Sequence, residues 1–509
     1  MAKRACILTI DIGTSSAQIA AFDFTGKETV YRTGSYPTFH PHPDWSEQDP
    51  EQVFITVLFL LKGILNDQEY TRKHDIRAIV LSSSMHSVLA VDRQGNALGN
   101  AIIWSDNRAC RIANELKHSK MGETIYANCG TPIHAMAPIS KIKWIKEQDR
   151  EKFRKAVKFI SLKEYLIFQL TGEYYIDYSL ASATGIFNLK DKAWDQTALD
   201  FLELDPSYFS TAVEPSFCEL KLKEPYLHSL RLDRSVKLII GSSDGCLESL
   251  SSGSMDKKQA VVSVTSSGAV RVFGESIIHD EKGRFFNYIL KDGIFISGGP
   301  TNNGGVAFEW VARGLAGFDN DFSFEERLMR FQNEAAKVVS GSEGLIFLPY
   351  LQGERAPIWN SNARGTFFGL NIIHQPRHIM RAVIEGVAFE MYSIAKSIEE
   401  HREVHSLYLN GSYATTPLWS SIICNIFGLP VKVSGYKHSA NLGAAMLGLT
   451  TLGIFESLEE SLTIAQTGIE RKPSERDNEV YKRYFSIFQK LTDKLAPEFD
   501  EIAKLQNDY

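Results

Sequence analysis

Two aspartates follow strand-like runs, a position in which α/β proteins often carry catalytic carboxylates. Asp244 lies between an apolar run at 236–240 and a probable helix, and Asp11 ends the β-rich run 5–10. A carboxylate at such a place can accept a hydroxyl proton during phosphoryl transfer, and one beside a phosphate-binding loop can reach hydrated Mg²⁺. Because Asp is also a preferred N-cap of helices, the pattern around Asp244 leaves two alternatives, a helix cap and a catalytic base.

Two loops of small, hydroxylated residues recur in the same setting between strand-like runs. The first consists of Gly13, Thr14, Ser15 and Ser16, and the second of Thr265, Ser266, Ser267 and Gly268. Such residues offer backbone N–H groups and hydroxyls to phosphate oxygens, but they also dominate ordinary turns. The shared layout predicts two hairpins and a duplicated fold, with one copy at the start of each half.

A polar cluster and several glycine-rich stretches complete the candidates. His86, Asp106 and Arg108 follow strand-like runs and could meet at one sheet edge, where they would offer hydrogen bonds to sugar hydroxyls. The alternatives are a structural histidine and an ordinary salt bridge. The glycine-rich stretches at 298–305, 411–414 and 441–445 either approach a nucleotide closely or serve turns and helix packing.

The elements that must position these residues alternate in type along the chain. Helical spacing of apolar residues predicts helices at 49–64, 140–148, 377–400 and 478–506, and buried strands are predicted at 76–81, 237–240, 344–348 and 406–409. Both halves are therefore mixed α/β. Only the repeat places a boundary between them, near residue 250.

Composition excludes several classes of protein. The chain has 509 residues, 44% of them hydrophobic and 23% charged, and a net charge of −6, which argues against a nucleic-acid binder. No run approaches the roughly 18 apolar residues of a spanning helix, and six scattered cysteines without Cys-x-x-Cys spacing predict reduced thiols in a cytoplasmic protein. No Walker loop occurs, so P-loop and Rossmann interpretations are excluded.

Two long stretches resemble the signatures of a known family. Met136-Ala-Pro-Ile-Ser-Lys-Ile-Lys-Trp-Ile-Lys-Glu-Gln148 is one, and Gly365-Thr-Phe-Phe-Gly-Leu followed by His378-Ile-Met-Arg-Ala-Val-Ile-Glu385 is the other. Over almost its whole length the chain resembles the FGGY carbohydrate kinases. This resemblance implies an α/β, two-domain actin-like (ribonuclease H-like) sugar kinase fold with a cleft between the lobes. We expect domains at 1–250 and 251–455, and a helical extension at 456–509 packed on the second.

The resemblance also implies roles for the candidate residues. Asp244 becomes the catalytic base, Asp11 faces Mg²⁺ through water, and the two loops clamp the phosphates of ATP. The remaining nucleotide-side residues are Asn303, Gly411, Ser412 and Asn441, and the substrate-side residues are Met85, His86, Asp106 and Arg108. His134 is added to the substrate side only because of its possible charge. One departure is Thr265, which stands where the family usually has a glycine. Because Thr cannot cheaply adopt a positive φ, it is either extended or the loop is remodelled.

Within the family, the chain looks most like the gluconate kinases. The supporting stretches are 84–88, 105–108, 130–138, 177–185, 298–305 and 350–357. The expected reaction is ATP-dependent phosphorylation of gluconate to 6-phosphogluconate, with Arg108 and His134 as candidates for binding the substrate carboxylate. The alternatives are a xylulose or other polyol kinase and a non-catalytic sugar or nucleotide sensor. We expect a small sugar acid or polyol as the partner, without nucleic acid or membrane, and allow for a homodimer.

Overall fold

The computed structural model describes residues 3–315, 323–465 and 468–507. These residues form two compact units. The first comprises 3–255, 274–297 and 438–465, and the second comprises the rest of the described chain. The division predicted from the sequence places 274–297 and 438–455 in the second domain and 456–465 in the helical extension, whereas these segments belong to the first compact unit.

Strands and helices alternate along both units. The strands, in chain order, are β1 Arg4–Ile12, β2 Ser16–Asp23, β3 Glu28–Ser35, β4 Glu47–Gln48, β5 His74–Ser83, β6 Leu89–Val91, β7 Ala101–Ile102, β8 Lys158–Ile160, β9 Tyr175–Asp177, β10 Phe187–Asn188, β11 Ala193–Trp194, β12 Thr211–Val213, β13 Lys237–Ser243, β14 Gln259–Val264, β15 Gly268–Gly274, β16 Phe286–Lys291, β17 Ile294–Thr301, β18 Ile346–Leu348, β19 Thr366–Phe368, β20 Ser406–Asn410, β21 Val431–Val433 and β22 Glu470–Arg471. The helices are α1 Pro50–Leu65, α2 Gln68–Lys73, α3 Cys110–Lys117, α4 Lys120–Cys129, α5 Pro138–Gln148, α6 Arg150–Lys155, α7 Leu162–Thr171, α8 Tyr178–Ser182, α9 Gln196–Leu202, α10 Glu224–Leu230, α11 Asp244–Leu250, α12 Gly305–Leu315, α13 Phe324–Ala335, α14 Pro376–Glu399, α15 Pro417–Phe427, α16 Ser439–Thr451, α17 Leu458–Ser461 and α18 Glu475–Asn507.

The first unit is built on a five-stranded sheet in the order β13-β5-β1-β2-β3. β1 runs antiparallel to β2 and parallel to β5, which is parallel to β13. Successive residues of a strand point to opposite faces, so Leu8 and Ile10 pack in the core with α1, while Thr9 contacts α16. Both faces of the sheet are thus covered, which explains why β1 is apolar almost throughout.

The second unit repeats this arrangement. Its sheet contains the order β17-β15-β14-β20-β21, with β22 added at the end. β14 is antiparallel to β15 and parallel to β20, which is parallel to β21. The strand order and these directions match those of the first sheet, so the predicted duplication is confirmed.

The elements predicted from apolar spacing are also present. α1, α5, α14 and α18 begin and end within three residues of the predicted helices, and the same holds for β5, β13, β18 and β20. α1 begins where the side chain of Asp49 accepts hydrogen bonds from the backbone N–H groups of Glu51 and Gln52. Among the described residues, no helix is long and apolar enough to cross a membrane.

Candidate active site

The carboxyl ends of β1, β5 and β13 bring the two candidate aspartates to one sheet edge. Asp11 is paired with Ser82, and Ser82 with Ser242. The Ser82 hydroxyl donates a hydrogen bond of 2.7 Å to Asp11 Oδ1. Because neighbouring strands lie about 4.8 Å apart, Asp11 and Ser242 are separated by roughly two strand spacings. Asp244 follows Ser242 by two residues and therefore lies at the same edge.

Asp244 is the first residue of α11 and is half-buried. Its Oδ1 accepts a hydrogen bond of 2.6 Å from the backbone N–H of Gly245. The N-cap position belongs to Ser243, which makes no side-chain capping bond. The helix-cap alternative therefore does not describe Asp244, whose carboxylate lies at the N-terminus of α11.

Asp11 is buried, with 7% of its surface exposed. Burial raises the pKa of Asp11 to about 6, and Glu248 adds to this effect, whereas Ser82 and Lys163 oppose it. Burial destabilises the charged form of Asp11, and a cation beside the carboxylate would stabilise that form again. The site therefore fits Mg²⁺. In the described chain, no group of three or more His, Cys, Asp or Glu side chains could hold a metal. An ion here would depend on one carboxylate, water and phosphate oxygens, as Mg²⁺ commonly does.

Side chains from outside the hairpin hold the first hairpin tip in place. Within the tip, Gly13 N donates to Ser16 O at 3.0 Å. The Tyr36 hydroxyl donates to Gly13 O at 2.6 Å, and Trp104 Nε1 donates to Thr14 Oγ1 at 2.9 Å. Trp104 was not among the residues predicted for the site, and its place just before Asp106 is the only local signal that could have suggested it.

The second hairpin tip is held by backbone groups instead. Gly305 N donates to Thr265 O at 2.7 Å, and Gly304 N donates to Ser266 O at 3.1 Å. A Cβ on Gly304 would lie 2.1 Å from Ser267 O, so only glycine allows this approach. The tip, 265–267, is one residue shorter than 13–16. Thr265 is not among the residues with positive φ, so the threonine avoids that strain.

The other nucleotide-side candidates lie in different surroundings. Gly411 has φ +91° and its backbone lies against Val264 O, and Ser412 is exposed. Asn303 Nδ2 donates to Gly353 O at 2.8 Å and to Glu354 Oε2 at 3.1 Å. Asn441 belongs to the first unit, where its Oδ1 accepts a bond of 2.8 Å from Thr9 Oγ1. Both asparagines are buried, which favours packing roles, and their predicted nucleotide contacts stay predictions.

His86 is tied to its surroundings through both ring nitrogens. Nδ1 lies 2.8 Å from Ala183 O, and Nε2 lies 3.2 Å from the Tyr288 hydroxyl. Its φ of +68° is rare for a histidine. The buried Lys141 donates bonds of 2.7 Å to His86 O and to Ile103 O, and burial lowers the pKa of this lysine to about 7. Lys141 thus joins the two predicted substrate-side stretches, a role that sequence reasoning missed.

Asp106 and Arg108 form a buried ion pair. Arg108 Nη2 lies 2.8 Å from Asp106 Oδ2 and 2.7 Å from Glu47 Oε1, and the Arg108 side chain is 3% exposed. The guanidinium also lies 3.8 Å from the centre of the Trp45 ring. Two carboxylates therefore already neutralise Arg108, which favours the salt-bridge alternative over binding of a substrate carboxylate.

The remaining substrate-side candidates adjoin α8. Ser182 O accepts a bond of 2.6 Å from Thr131 Oγ1, and Thr184 O accepts one of 3.1 Å from Ile139 N. These bonds hold the segment that carries His134, whose Nδ1 accepts a bond of 3.1 Å from Met136 N. Met85 is half-buried. The stretches 84–88, 130–138 and 177–185 thus meet in the first unit.

Known proteins match this chain over almost its whole length. The model of the N-terminal domain of the FGGY family of carbohydrate kinases matches residues 6–250, and that of the C-terminal domain matches 265–452. A gluconokinase of Bacillus subtilis is 35% identical over 98% of both chains, and a xylulose kinase of Staphylococcus xylosus is 27% identical over 96% of this chain and 100% of that one.

Solved structures agree with this match. The gluconate kinase of Lactobacillus acidophilus superposes with a TM-score of 0.91 at 32% identity, covering 98% of this chain and 100% of that one. A ligand-bound xylulose kinase from the same organism gives the same TM-score, identity and coverage. From the two family-model matches and these full-length relatives, we conclude that the chain belongs to the FGGY family of carbohydrate kinases.

Proposed function

We propose that this chain is an ATP-dependent kinase that phosphorylates gluconate on its terminal hydroxyl to give 6-phosphogluconate. The observation that carries the proposal is the ranking of its full-length relatives. Two gluconokinases are 34–35% identical to the chain, whereas five xylulose kinases are 27–28% identical.

The sheet edge supports the chemistry. Asp244 would accept the proton of the terminal hydroxyl as the hydroxyl oxygen attacks the γ-phosphorus of ATP, while the bond between this phosphorus and the β,γ-bridging oxygen breaks and ADP leaves. Asp11 would hold Mg²⁺ through water. Mg²⁺, when bound, supplies positive charge that offsets the negative charge developing on the transferred phosphoryl group. Backbone N–H groups of the hairpin tip that follows Asp11 would bind phosphate oxygens.

Xylulose is the second candidate substrate. A solved structure described as ligand-bound xylulose kinase matches this chain as well as the one described as gluconate kinase. Overall structural similarity therefore does not separate the two substrates. A few side chains in the pocket make that choice, and the fold does not.

The test is an assay of ADP formation with gluconate, xylulose, glycerol and ribulose, followed by mass spectrometry of the product. Gluconate should give the highest kcat/KM and a product phosphorylated at the terminal hydroxyl. Preference for xylulose would replace the proposed substrate. ATP binding without ADP formation for any acceptor would instead favour a non-catalytic sensor.

The role of Asp244 is tested by Asp244→Asn. This variant should fold and bind ATP normally, because the amide keeps the size of the carboxylate. A positioned base contributes about 10² to 10⁴ in rate, so turnover should fall at least about a hundredfold. Turnover close to that of the wild type would remove Asp244 from the role of base.

A further inference from the structure

A buried ion pair lies directly behind the turn that carries Asp244. Lys163 Nζ on α7 lies 2.8 Å from Asp177 Oδ2 at the end of β9, and the two side chains are 1% and 0% exposed. Burying two charges costs several kcal/mol per ion, which their mutual attraction does not reliably offset. A pair in this position therefore needs an explanation beyond stability.

The pair is connected to the turn through Ser179. The Ser179 hydroxyl donates a bond of 2.5 Å to Asp177 Oδ1. Ser179 Oγ also accepts hydrogen bonds from Ser243 N at 2.7 Å and from Ser242 Oγ at 2.8 Å. Lys163 Nζ also donates to Ser242 O at 3.2 Å. Ser242 is thus bound through its hydroxyl and its carbonyl oxygen, and Ser243 through its backbone N–H.

The strand itself is irregular just before this point. The pairing of β13 with β5 shifts between Ile239 and Ser242. Gly241, within the shift, has φ +68°, and a Cβ there would lie 1.7 Å from Leu81 O. Such a bulge changes the direction in which the following residues point. Pairing resumes after the shift, where Ser242 and Ser243 lie opposite Ser82 and Ser83. The contacts to Ser179 and Lys163 hold these two residues from the side away from β5.

The ammonium group also faces several other charged or titratable groups. Burial lowers the pKa of Lys163, whereas Asp177 on β9, Glu164 on α7 and Cys246 on α11 raise it. Lys163 in turn lowers the pKa of Asp11. The buried cation therefore lies within electrostatic reach of the sheet edge where both aspartates are found.

We propose that Lys163, Asp177 and Ser179, which we call the Lys163 network, are positioning residues for phosphoryl transfer. They fix the direction of the Asp244 carboxylate through Ser242 and Ser243. This inference rests on the proposed role of Asp244 as the base. None of the three needs to contact substrate. Their removal should therefore lower kcat and leave the KM values of gluconate and ATP nearly unchanged.

The experiment uses the full chain and two variants, Ser179→Ala and the double variant Lys163→Met with Asp177→Asn. The double variant removes both charges at nearly constant volume and leaves no unpaired buried ion, a change that is often neutral for stability. Hydrogen bonds to charged groups are worth enough to change a rate about tenfold. We expect kcat to fall about tenfold in each variant, with both KM values within about twofold of wild type and a similar melting temperature.

A matched control removes another buried ion pair of the first unit. Arg284 and Asp280 lie 2.7 Å apart with side chains 10% and 3% exposed, and they belong to the segment 274–297 rather than to the Lys163 network. The double variant Arg284→Met with Asp280→Asn should keep the wild-type kcat. An equal fall of kcat in this control would overturn the inference, as would wild-type kcat in both network variants.

A third measurement separates positioning from a general loss of folding. In an Asp244→Asn background, Ser179→Ala should cause no further fall of kcat, because there is no base left to position. An additional tenfold loss in that background would contradict the inference.

If Asp244→Asn alone keeps normal turnover, the proposed base is wrong. If Asp244→Asn is inactive while both network variants keep their kcat, only the positioning role is wrong. Should the wild type turn over xylulose and not gluconate, the same variants are assayed with xylulose.

Discussion

The two hairpins occupy equivalent places in the duplicated sheets, yet they differ in the residues near their tips and in the groups that hold those tips. In the first, Asp11 is paired with Gln18 in the second pair before the tip, and in the second, Ser263 is paired with Ala269 in the equivalent pair. The first tip is fastened by side chains of Tyr36 and Trp104. The second is fastened by backbone N–H groups at the start of α12. Duplication thus supplies two similar loops, and only one of them carries a carboxylate suited to a metal.

We expect the largest difference in kcat/KM between the hairpins when the equivalent residues Asp11 and Ser263 are each substituted. Asp11→Asn removes the charge that would hold Mg²⁺, and loss of such electrostatic stabilisation typically costs about 10² to 10³ in rate. We expect kcat/KM for gluconate to fall at least about a hundredfold. Ser263→Ala should leave turnover close to wild type, because Ser263 Oγ accepts a bond from Arg271 within its own sheet. Similar kinetics for the two variants would contradict the comparison.

A smaller effect is expected from adding a methyl group beside each tip. The Cβ of Gly304→Ala would meet Ser267 O at 2.1 Å, whereas that of Gly13→Ala would meet Ser16 O at 3.1 Å. Forcing an extra carbon into a packed contact costs typically about 1–3 kcal/mol. Gly304→Ala should therefore lower the melting temperature clearly and raise the KM for ATP. Gly13→Ala should melt closer to wild type, and the reverse order in a thermal denaturation experiment would show that the second tip does not depend on this contact.

The smallest effect is expected from Thr265→Gly, which introduces the glycine usual in the family at this position. Thr265 does not adopt a positive φ, so the glycine relieves no strain and only adds freedom to the unfolded chain, which costs roughly 0.4–1 kcal/mol. The KM for ATP should stay near that of the wild type. A large gain in activity would instead mean that Thr265 impairs the second hairpin.

Much of the fold could be predicted because it depends on local patterns. The apolar runs of β1, β5 and β13 and the spacing in α1 and α14 identify the elements, and the repeated hairpin identified the duplication. The limits of the compact units could not be predicted in this way. The segment 438–465 lies between β21 and β22 of the second sheet in sequence, yet α16 packs against β1. There Thr9 bonds to Asn441, 432 residues away.

The positions of the two aspartates in the candidate site could be predicted from the sequence, whereas the roles of some of its other residues could not. The sequence placed Asp11 and Asp244 after strands, and the register of β1, β5 and β13 shows that these strand ends are neighbours. For Asp244, local preference favoured a helix cap, and the structure assigns that position to Ser243. The roles of Lys141 and Trp104 were missed because their partners, His86 and Thr14, lie 55 and 90 residues away.

The sequence by itself determined the α/β class, the duplicated hairpins, the strand-end aspartates and the family, because each depends on short-range periodicity or on contiguous signatures. Only the tertiary structure decided which polar side chains already satisfy one another. Arg108 is neutralised by Asp106 and by Glu47, 61 residues away, and the His86 ring bonds across 97 and 202 residues. Such pairs arise where packing brings distant segments together in low-dielectric surroundings, where an unpaired polar group is costly, and no local pattern encodes them.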